Sequence, residues 1–307
     1  MLGIFTATPR EHMRIRNLIV PSALAFVLAS CGGGPTGQDE LSTGGADSTE
    51  EALRMKKTKS IFYNIPSPME TATLLKEAGA EYDKDILNDV LNVDKYTAAS
   101  KQALNLGIYG ADLSYASVFN NTQESMFYTS CAKKLADRLG VSNAFNDSTI
   151  ERMEHFRNDR DSLLNIVSQT YWTVDAYLKE NGRDNISALM IAGGWVEGLY
   201  IATQVSLTND SPALRKRIAE QKLSPSDLIE LLGTYDGTDA ALSGALADLR
   251  ALGDLYAGVQ QGGGGAGEVK QMEGVTVIGG GSPAALTDDQ LAAIRDKAAA
   301  VRNAYIN

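Results

Sequence analysis

Apolar residues recur every three or four positions through most of the chain after residue 60, which is the spacing of one face of an α-helix. The final segment shows this pattern clearly, at Leu286, Leu291, Ile294, Ala298, Val301 and Tyr305. Ser67-Pro68-Met69-Glu70 combines a serine N-cap, a proline at the first helical position and a glutamate three residues after the cap. Similar helix-start patterns occur at Ser148, Ser211, Ser224 and Thr287. Capping and periodicity agree, so the sequence predicts an all-α domain over residues 60–307, a multi-helix bundle or stacked helical pairs.

One stretch departs from the helical pattern. Residues 261–281 contain two glycine runs, and between them Val269 to Ile278 alternates and is rich in β-branched residues. This pattern predicts a short strand or a small β-hairpin insertion near 268–278, turning at Glu273-Gly274. We interpret the glycine runs as flexible joints. They do not match a phosphate-binding P-loop, because no Gly-Lys-Ser/Thr follows them.

An internal repeat is indicated in the centre of the chain. Asn92 to Tyr96 resembles Thr173 to Tyr177, and Gly107-Ile108-Tyr109 resembles Gly193-Gly194-Trp195 further on. The similarity predicts a duplicated helical pair at about 82–140 and 163–222, whose members bury each other's apolar faces. Chance similarity between two helices of common composition is the alternative.

The segment from Ile186 to Val205 is nearly long enough to span a membrane, but it carries one charge, Glu197, near its middle. We therefore expect a buried central helix. Gly107, Gly193 and Gly194 would weaken their helices, so close helix–helix contact is the expected compensation.

Glu197 and Asp112 are acidic residues on helices that otherwise look buried, so each needs a partner or a proton. Both could serve a ligand site beside Trp195 and Tyr109, with a cationic ligand or a metal as the candidates. A structural ion pair, or a carboxylate at the solvent edge, is the alternative explanation. Two carboxylates could also act as acid and base in glycoside hydrolysis, although nothing in the sequence sets their separation.

The sequence indicates few other candidate functional residues. His155 lies in a charged segment typical of a solvated helix face, and Cys131 reads as a small packed residue. A histidine-rich or four-cysteine metal site is excluded by residue count, since the chain has two histidines and two cysteines. We expect no metal, no cofactor and no catalytic constellation.

The first thirty residues have the layout of a secretory signal peptide. Arg14 and Arg16 form a basic region, a short apolar run follows from Leu18 to Leu28, and small residues lead to Cys31. Met13 is the more natural start for such a leader, with residues 1–12 as an upstream extension; a start at Met1 is the alternative. Leu28-Ala29-Ser30-Cys31 resembles the lipobox of bacterial lipoproteins. The resemblance covers the leader alone and implies that Cys31 is acylated after cleavage before it; an ordinary signal peptide with an incidental Cys31 is the alternative.

Residues 31–59 follow as a tether rich in Gly, Ser, Thr and acids, with few apolar residues to bury. Residues 1–30 hold three of the basic and one of the acidic residues, so the remaining chain has 25 Lys and Arg against 37 Asp and Glu. This acidic balance excludes general attraction to nucleic acid. Membrane contact is therefore expected through the lipid on Cys31. The Gly after Cys31 favours the outer membrane, on its periplasmic face.

Three functions fit these features. The first is a non-enzymatic scaffold or partner-binding lipoprotein that contacts another envelope protein through an exposed apolar patch. The second is a ligand-binding lipoprotein with a pocket between the repeated helices and Glu197 or Asp112 as its polar anchor. The third is a carboxylate-based envelope hydrolase, for which one candidate pair is thin support.

Overall fold

The computed structural model describes residues 67–259, except 236 and 238, the strands at 268–272 and 275–279, and residues 286–307. The predicted signal peptide, the candidate lipid site at Cys31 and the predicted tether lie outside the described residues. The fold below therefore concerns the predicted helical domain.

The described part of the chain is mostly α-helical, which confirms the all-α fold class. Ten α-helices account for most of it, with short 3₁₀ turns at Lys84–Ile86, Val90–Lys95 and Gln221–Leu223. In chain order the helices are α1 Pro68–Glu77, α2 Ala99–Val118, α3 Thr122–Arg138, α4 Asp147–His155, α5 Arg160–Glu180, α6 Asp184–Val205, α7 Pro212–Glu220, α8 Ser224–Gly233, α9 Ala240–Ala257 and α10 Asp288–Ile306.

The helix ends follow from local chemistry. Ser67 accepts a hydrogen bond from the backbone N–H of Glu70, and Thr287 forms a complete capping box with Gln290. The start expected at Ser148 is wrong by two residues, because Asn146 supplies the N-cap and accepts from Thr149 N–H. Asparagine is as good an N-cap as serine, so the earlier residue takes that position.

Helices α2 and α6 form the centre of the domain. They pack along each other, and α1, α5 and α10 pack against α6 from around this pair. From Gln102 to Val118 every residue of α2 is buried. By length and composition α6 could cross a membrane, but 89% of its most apolar window is buried inside the protein. A buried core helix accounts for its apolar sequence, as expected from Glu197.

Glycines permit the close approach of α2 and α6. A Cβ atom on Gly107 would lie 2.0 Å from the carbonyl oxygen of Met190, and one on Gly193 would lie 2.1 Å from that of Leu104. Only glycine fits at either point, and the resulting contact offsets the cost of glycine within a helix.

Two short strands, Glu268–Met272 and Val275–Gly279, pair antiparallel with Met272 opposite Val275. The predicted turn between them and the glycine runs on either side lie outside the described residues, so the hairpin insertion as a whole stays a prediction.

The predicted repeat also stays a prediction. Its two glycine-containing segments lie on the paired helices α2 and α6, whereas its other two segments lie in unlike elements. Asn92 to Lys95 belongs to a 3₁₀ turn, but Thr173 to Tyr177 lies inside α5.

Candidate functional site

Asp112 of α2 and Glu197 of α6 meet in the interior of the domain. Both residues are fully buried, with no exposed surface. Their carboxyl groups are within hydrogen-bonding contact of each other. The close pairing of α2 and α6 places two acidic groups where bare charge is costly.

Arg302 of α10 supplies the cation for this pair. Its Nε donates to Glu197 Oε2 at 3.0 Å, and its Nη2 donates to Glu197 Oε1 at 3.2 Å, a two-pronged ion pair. Nη2 also donates to the backbone carbonyl of Ile86 at 3.2 Å, and the guanidinium lies 4.7 Å from the ring centre of Tyr200. The ion pair ties the last helix to the central one.

Asp112 has a different environment. Its Oδ2 accepts a hydrogen bond from the backbone N–H of Asn88 at 3.3 Å. Its Oδ1 has no hydrogen-bond donor, so an ionised carboxylate would be only partly satisfied. Burial, then the charge of Glu197, raises the pKa of Asp112 well above its ordinary value. A proton on Asp112 removes both difficulties, because the acid can donate to Glu197 and the cluster of two carboxyls and one guanidinium becomes neutral.

Burial also raises the pKa of Glu197, and Arg302 acts in the opposite direction. Glu197 is the group in direct contact with the guanidinium, so we assign the negative charge to Glu197 and the proton to Asp112. The arrangement meets the needs of a structural ion pair.

A shell of polar side chains extends from this cluster to the end of α10. Asn88 Nδ2 donates to the hydroxyl of Tyr96 at 3.1 Å, and that hydroxyl donates to the carbonyl of Ile306. Asn105 Nδ2 donates to the carbonyl of Tyr305 at 3.0 Å. These bonds satisfy carbonyls in the last turn of the helix, which have no partners within it.

A cleft of about 330 Å³ lies elsewhere, between α2, α5 and α6 and the start of α1. We call it the α5 cleft. It opens to solvent, since Ser67 is exposed and Trp172 at its edge is 40% exposed. Its lining residues are mostly apolar: Ser67, Pro68, Met69, Glu70, Gly107, Gly110, Ser114, Val167, Ser168, Tyr171, Trp172, Met190, Ile191, Gly194 and Trp195.

Hydrogen bonds within the protein hold several polar groups of the cleft wall. Tyr171 donates to the carbonyl of Leu106 at 2.7 Å, and Ser114 donates to that of Gly110 at 2.8 Å. The Tyr171 ring packs over Gly110, where a Cβ atom would lie 2.1 Å from its hydroxyl. These bonds fix the wall and leave apolar surface to face an occupant.

The structure separates the four residues that the sequence grouped. Asp112 and Glu197 belong to the buried cluster, and neither lines the α5 cleft. Trp195 lines the cleft, with its indole N–H donating to Gln221 Oε1 at 3.1 Å. Tyr109 is buried, and its hydroxyl donates to the carbonyl of Asp89 at 2.9 Å. The α5 cleft and the two acidic residues are therefore in different places.

Sequence reasoning missed two residues of these sites. Arg302 was overlooked as the partner of Glu197, although it lies four residues after Ala298 on the apolar face of α10. Glu70 was noted only as part of a helix start, and it is the one ionisable carboxylate among the described residues that line the cleft.

The remaining candidate residues, His155 and Cys131, do not form part of a described site. His155 is exposed at the end of α4, and Cys131 is buried with its Sγ 3.6 Å from the carbonyl oxygen of Val90. Burial raises the pKa of the Cys131 thiol to about 11. Within the described ranges no three His, Cys, Asp or Glu residues are grouped so as to hold a metal ion.

No protein family model matches the chain, and neither a curated protein nor a solved structure is significantly similar to it. Its function must be argued from its own sites.

Proposed function

We propose that the protein is an exported lipoprotein, anchored to the outer membrane through acylated Cys31, whose helical body is a binding module and not an enzyme. The lipobox resemblance and the tether composition support the anchor. The body would lie on the periplasmic face, with the lipid bilayer and an envelope ligand or protein as its partners. We also retain the proposed hairpin insertion near 268–278 and the duplication of the helical pair.

One observation carries the binding role: the α5 cleft, an open apolar cavity bounded by α2, α5, α6 and the start of α1. Its volume of about 330 Å³ lies at the lower end of the ~300–1,000 Å³ of small-molecule sites. Met69 and Met190 line the cleft, and unbranched methionine side chains can adapt to an occupant. These features favour a ligand-binding function over the scaffold function that the sequence favoured.

Binding of an uncharged fluorescent naphthylamine dye tests this role in the full chain. The variant Ser168→Phe adds a ring inside the cleft and should weaken dye binding about tenfold or more, equivalent to about 1.4 kcal/mol. Thr173→Phe adds the same ring to the exposed side of the same helix and should bind like wild type. An absence of dye binding to wild type, or equal loss in both variants, would contradict the role of the cleft.

The anchor has its own test. Expression in bacteria with radiolabelled palmitate should label the wild-type chain, and Cys31→Ser should abolish both the label and the recovery with the outer-membrane fraction. Labelling of the Cys31→Ser variant would show that another residue carries the lipid, and an unlabelled wild type would exclude the anchor.

A partner-binding scaffold remains the second candidate, because the surface carries exposed large apolar side chains. Leu91 is 78% exposed, and Leu207 and Leu223 are each 61% exposed. Such residues are common singly on protein surfaces, so they support the scaffold less than the cleft supports a ligand. Crosslinking in intact envelopes, with Leu91→Lys and Leu207→Lys compared with wild type, would detect a stoichiometric partner lost on substitution.

The hydrolase proposal has weaker support. Glycosidase carboxylates face a substrate and a water molecule. Glu197 is instead paired with Arg302 inside the core, and both carboxyls are fully buried. This arrangement favours a structural role for the two groups.

A further inference from the structure

We infer that the α5 cleft selects amphiphiles by charge, and that its preferred ligand is a short aliphatic chain ending in an ammonium group. The inference rests on the proposed binding function and names the chemical class of the ligand. It depends on the charge at the edge of the cleft and on the aromatic side chains that line it.

The charge lining the cleft is negative. Glu70 is the single charged side chain among the described lining residues, and its side chain is 58% exposed. A cationic head near this carboxylate gains Coulomb energy, whereas an anionic head is repelled. The acidic balance of the whole chain, with formal net charge −10, acts in the same direction.

Aromatic rings add to this preference. Tyr171, Trp172 and Trp195 line the same cleft, and Trp172 is at its exposed edge. The face of a tryptophan ring attracts an alkylammonium cation, and tryptophan is the strongest of the aromatic residues in this respect. An aliphatic chain in the apolar interior would leave its cationic head near these rings and Glu70.

Arg217 is the nearest identified counter-charge, and it does not line the cleft. Its Nη2 lies 3.1 Å from Glu70 Oε1, and its Nη1 lies 3.6 Å from Glu220 Oε2. Lys216 Nζ also lies 3.7 Å from Glu220 Oε1, so two cations and two carboxylates meet here, and Glu70 is the charged member that lines the cleft. An anionic ligand would have to displace a carboxylate from Arg217.

Competition against the bound naphthylamine dye measures the selectivity directly. Three ligands share an eight-carbon chain and differ in head charge: octyltrimethylammonium, 1-octanol and octanoate. We expect the ammonium compound to bind about fivefold more tightly than the alcohol, and the alcohol more tightly than the carboxylate. Added salt should weaken the ammonium compound and leave the alcohol unchanged.

Glu70→Gln should bring the ammonium compound to the affinity of 1-octanol and leave 1-octanol unchanged. Glu77→Gln is the matched control, because it removes one charge from an exposed position on the same helix. It should keep the wild-type order.

Each other outcome has a distinct meaning. Equal binding of the ammonium compound and the alcohol to wild type overturns the charge selectivity while leaving the site intact. Tighter binding of octanoate overturns it in favour of Arg217. If the dye binds and none of the three chains displaces it, the aliphatic class is wrong; if the dye itself fails to bind, the proposed function fails first.

Discussion

Arg302 donates two hydrogen bonds to Glu197, a residue 105 positions earlier, and both side chains are buried. Removing one member of a buried ion pair costs more than removing both, because the remaining charge has no partner. We expect Arg302→Met to lower the free energy of unfolding by about 3–5 kcal/mol. The double variant Glu197→Leu with Arg302→Met should be clearly more stable than Arg302→Met alone. Urea unfolding monitored by circular dichroism measures both, and equal losses would argue against a coupled pair.

The proton on Asp112 predicts a specific pH dependence. Its folded pKa is raised above the ordinary value of 3.8, so its contribution to stability is complete below that pH and is lost as pH rises through the folded pKa. Asp112→Asn keeps a hydrogen-bond donor toward Glu197 and cannot ionise. We expect the stability of wild type minus that of Asp112→Asn to fall steadily from pH 4 upward.

Urea unfolding of the two proteins at a series of pH values measures this difference. Carboxylates with a lowered pKa, such as Asp94 and Asp210, make stability rise with pH. Both proteins contain them, so their contribution cancels in the difference. A difference that is constant with pH, or that rises, would show that Asp112 is ionised in the folded protein.

Gly107 and Gly244 form a matched pair of helical glycines. A Cβ atom at Gly107 meets the backbone of Met190, whereas one at Gly244 in α9 has nothing within 4 Å. We expect Gly107→Ala to destabilise the domain by about 1–3 kcal/mol through overpacking. Gly244→Ala should stabilise it by up to about 1 kcal/mol, because alanine is the better helix former. Thermal unfolding would detect the opposite signs, and a neutral Gly107→Ala would contradict the close contact.

Cys131 should be chemically inert in the folded protein. The thiolate is the reactive form, and burial both restricts access and raises the pKa of the thiol to about 11. A thiol-specific chromogenic reagent at pH 8 should react slowly with Cys131 in the native protein and rapidly after denaturation. The Cys31→Ser variant is the background for this measurement, since it leaves one cysteine. Rapid labelling of the native protein would contradict the burial.

The sequence predicted the helices better than their arrangement. Caps such as Ser67 and Thr287 and the periodic apolar positions are local signals, so they identified the helical class. The surroundings of Glu197 along the chain also indicated a buried acid. Its partner could not be found in the same way, because Arg302 lies on another helix and looks like one charge among many on α10.

The cleft was harder still to predict. Its position depends on Tyr171 of α5 packing over Gly110 of α2, a tertiary contact between residues far apart in sequence. The ligand pocket between the repeated helices stays a prediction, and the two acids assigned to it lie in the core. Trp195 alone, of the four residues grouped by sequence, lines the cleft.

The late position of Arg302 has a consequence for biosynthesis. While the chain is being made, α2 and α6 leave the ribosome long before α10, so Glu197 lacks its cation and Asn105 lacks its carbonyl partner. A nascent chain ending before residue 288 cannot complete the core, and it should remain sensitive to protease. For a protein proposed to cross a membrane before folding, this delay would keep the chain in a form that a translocation channel can thread.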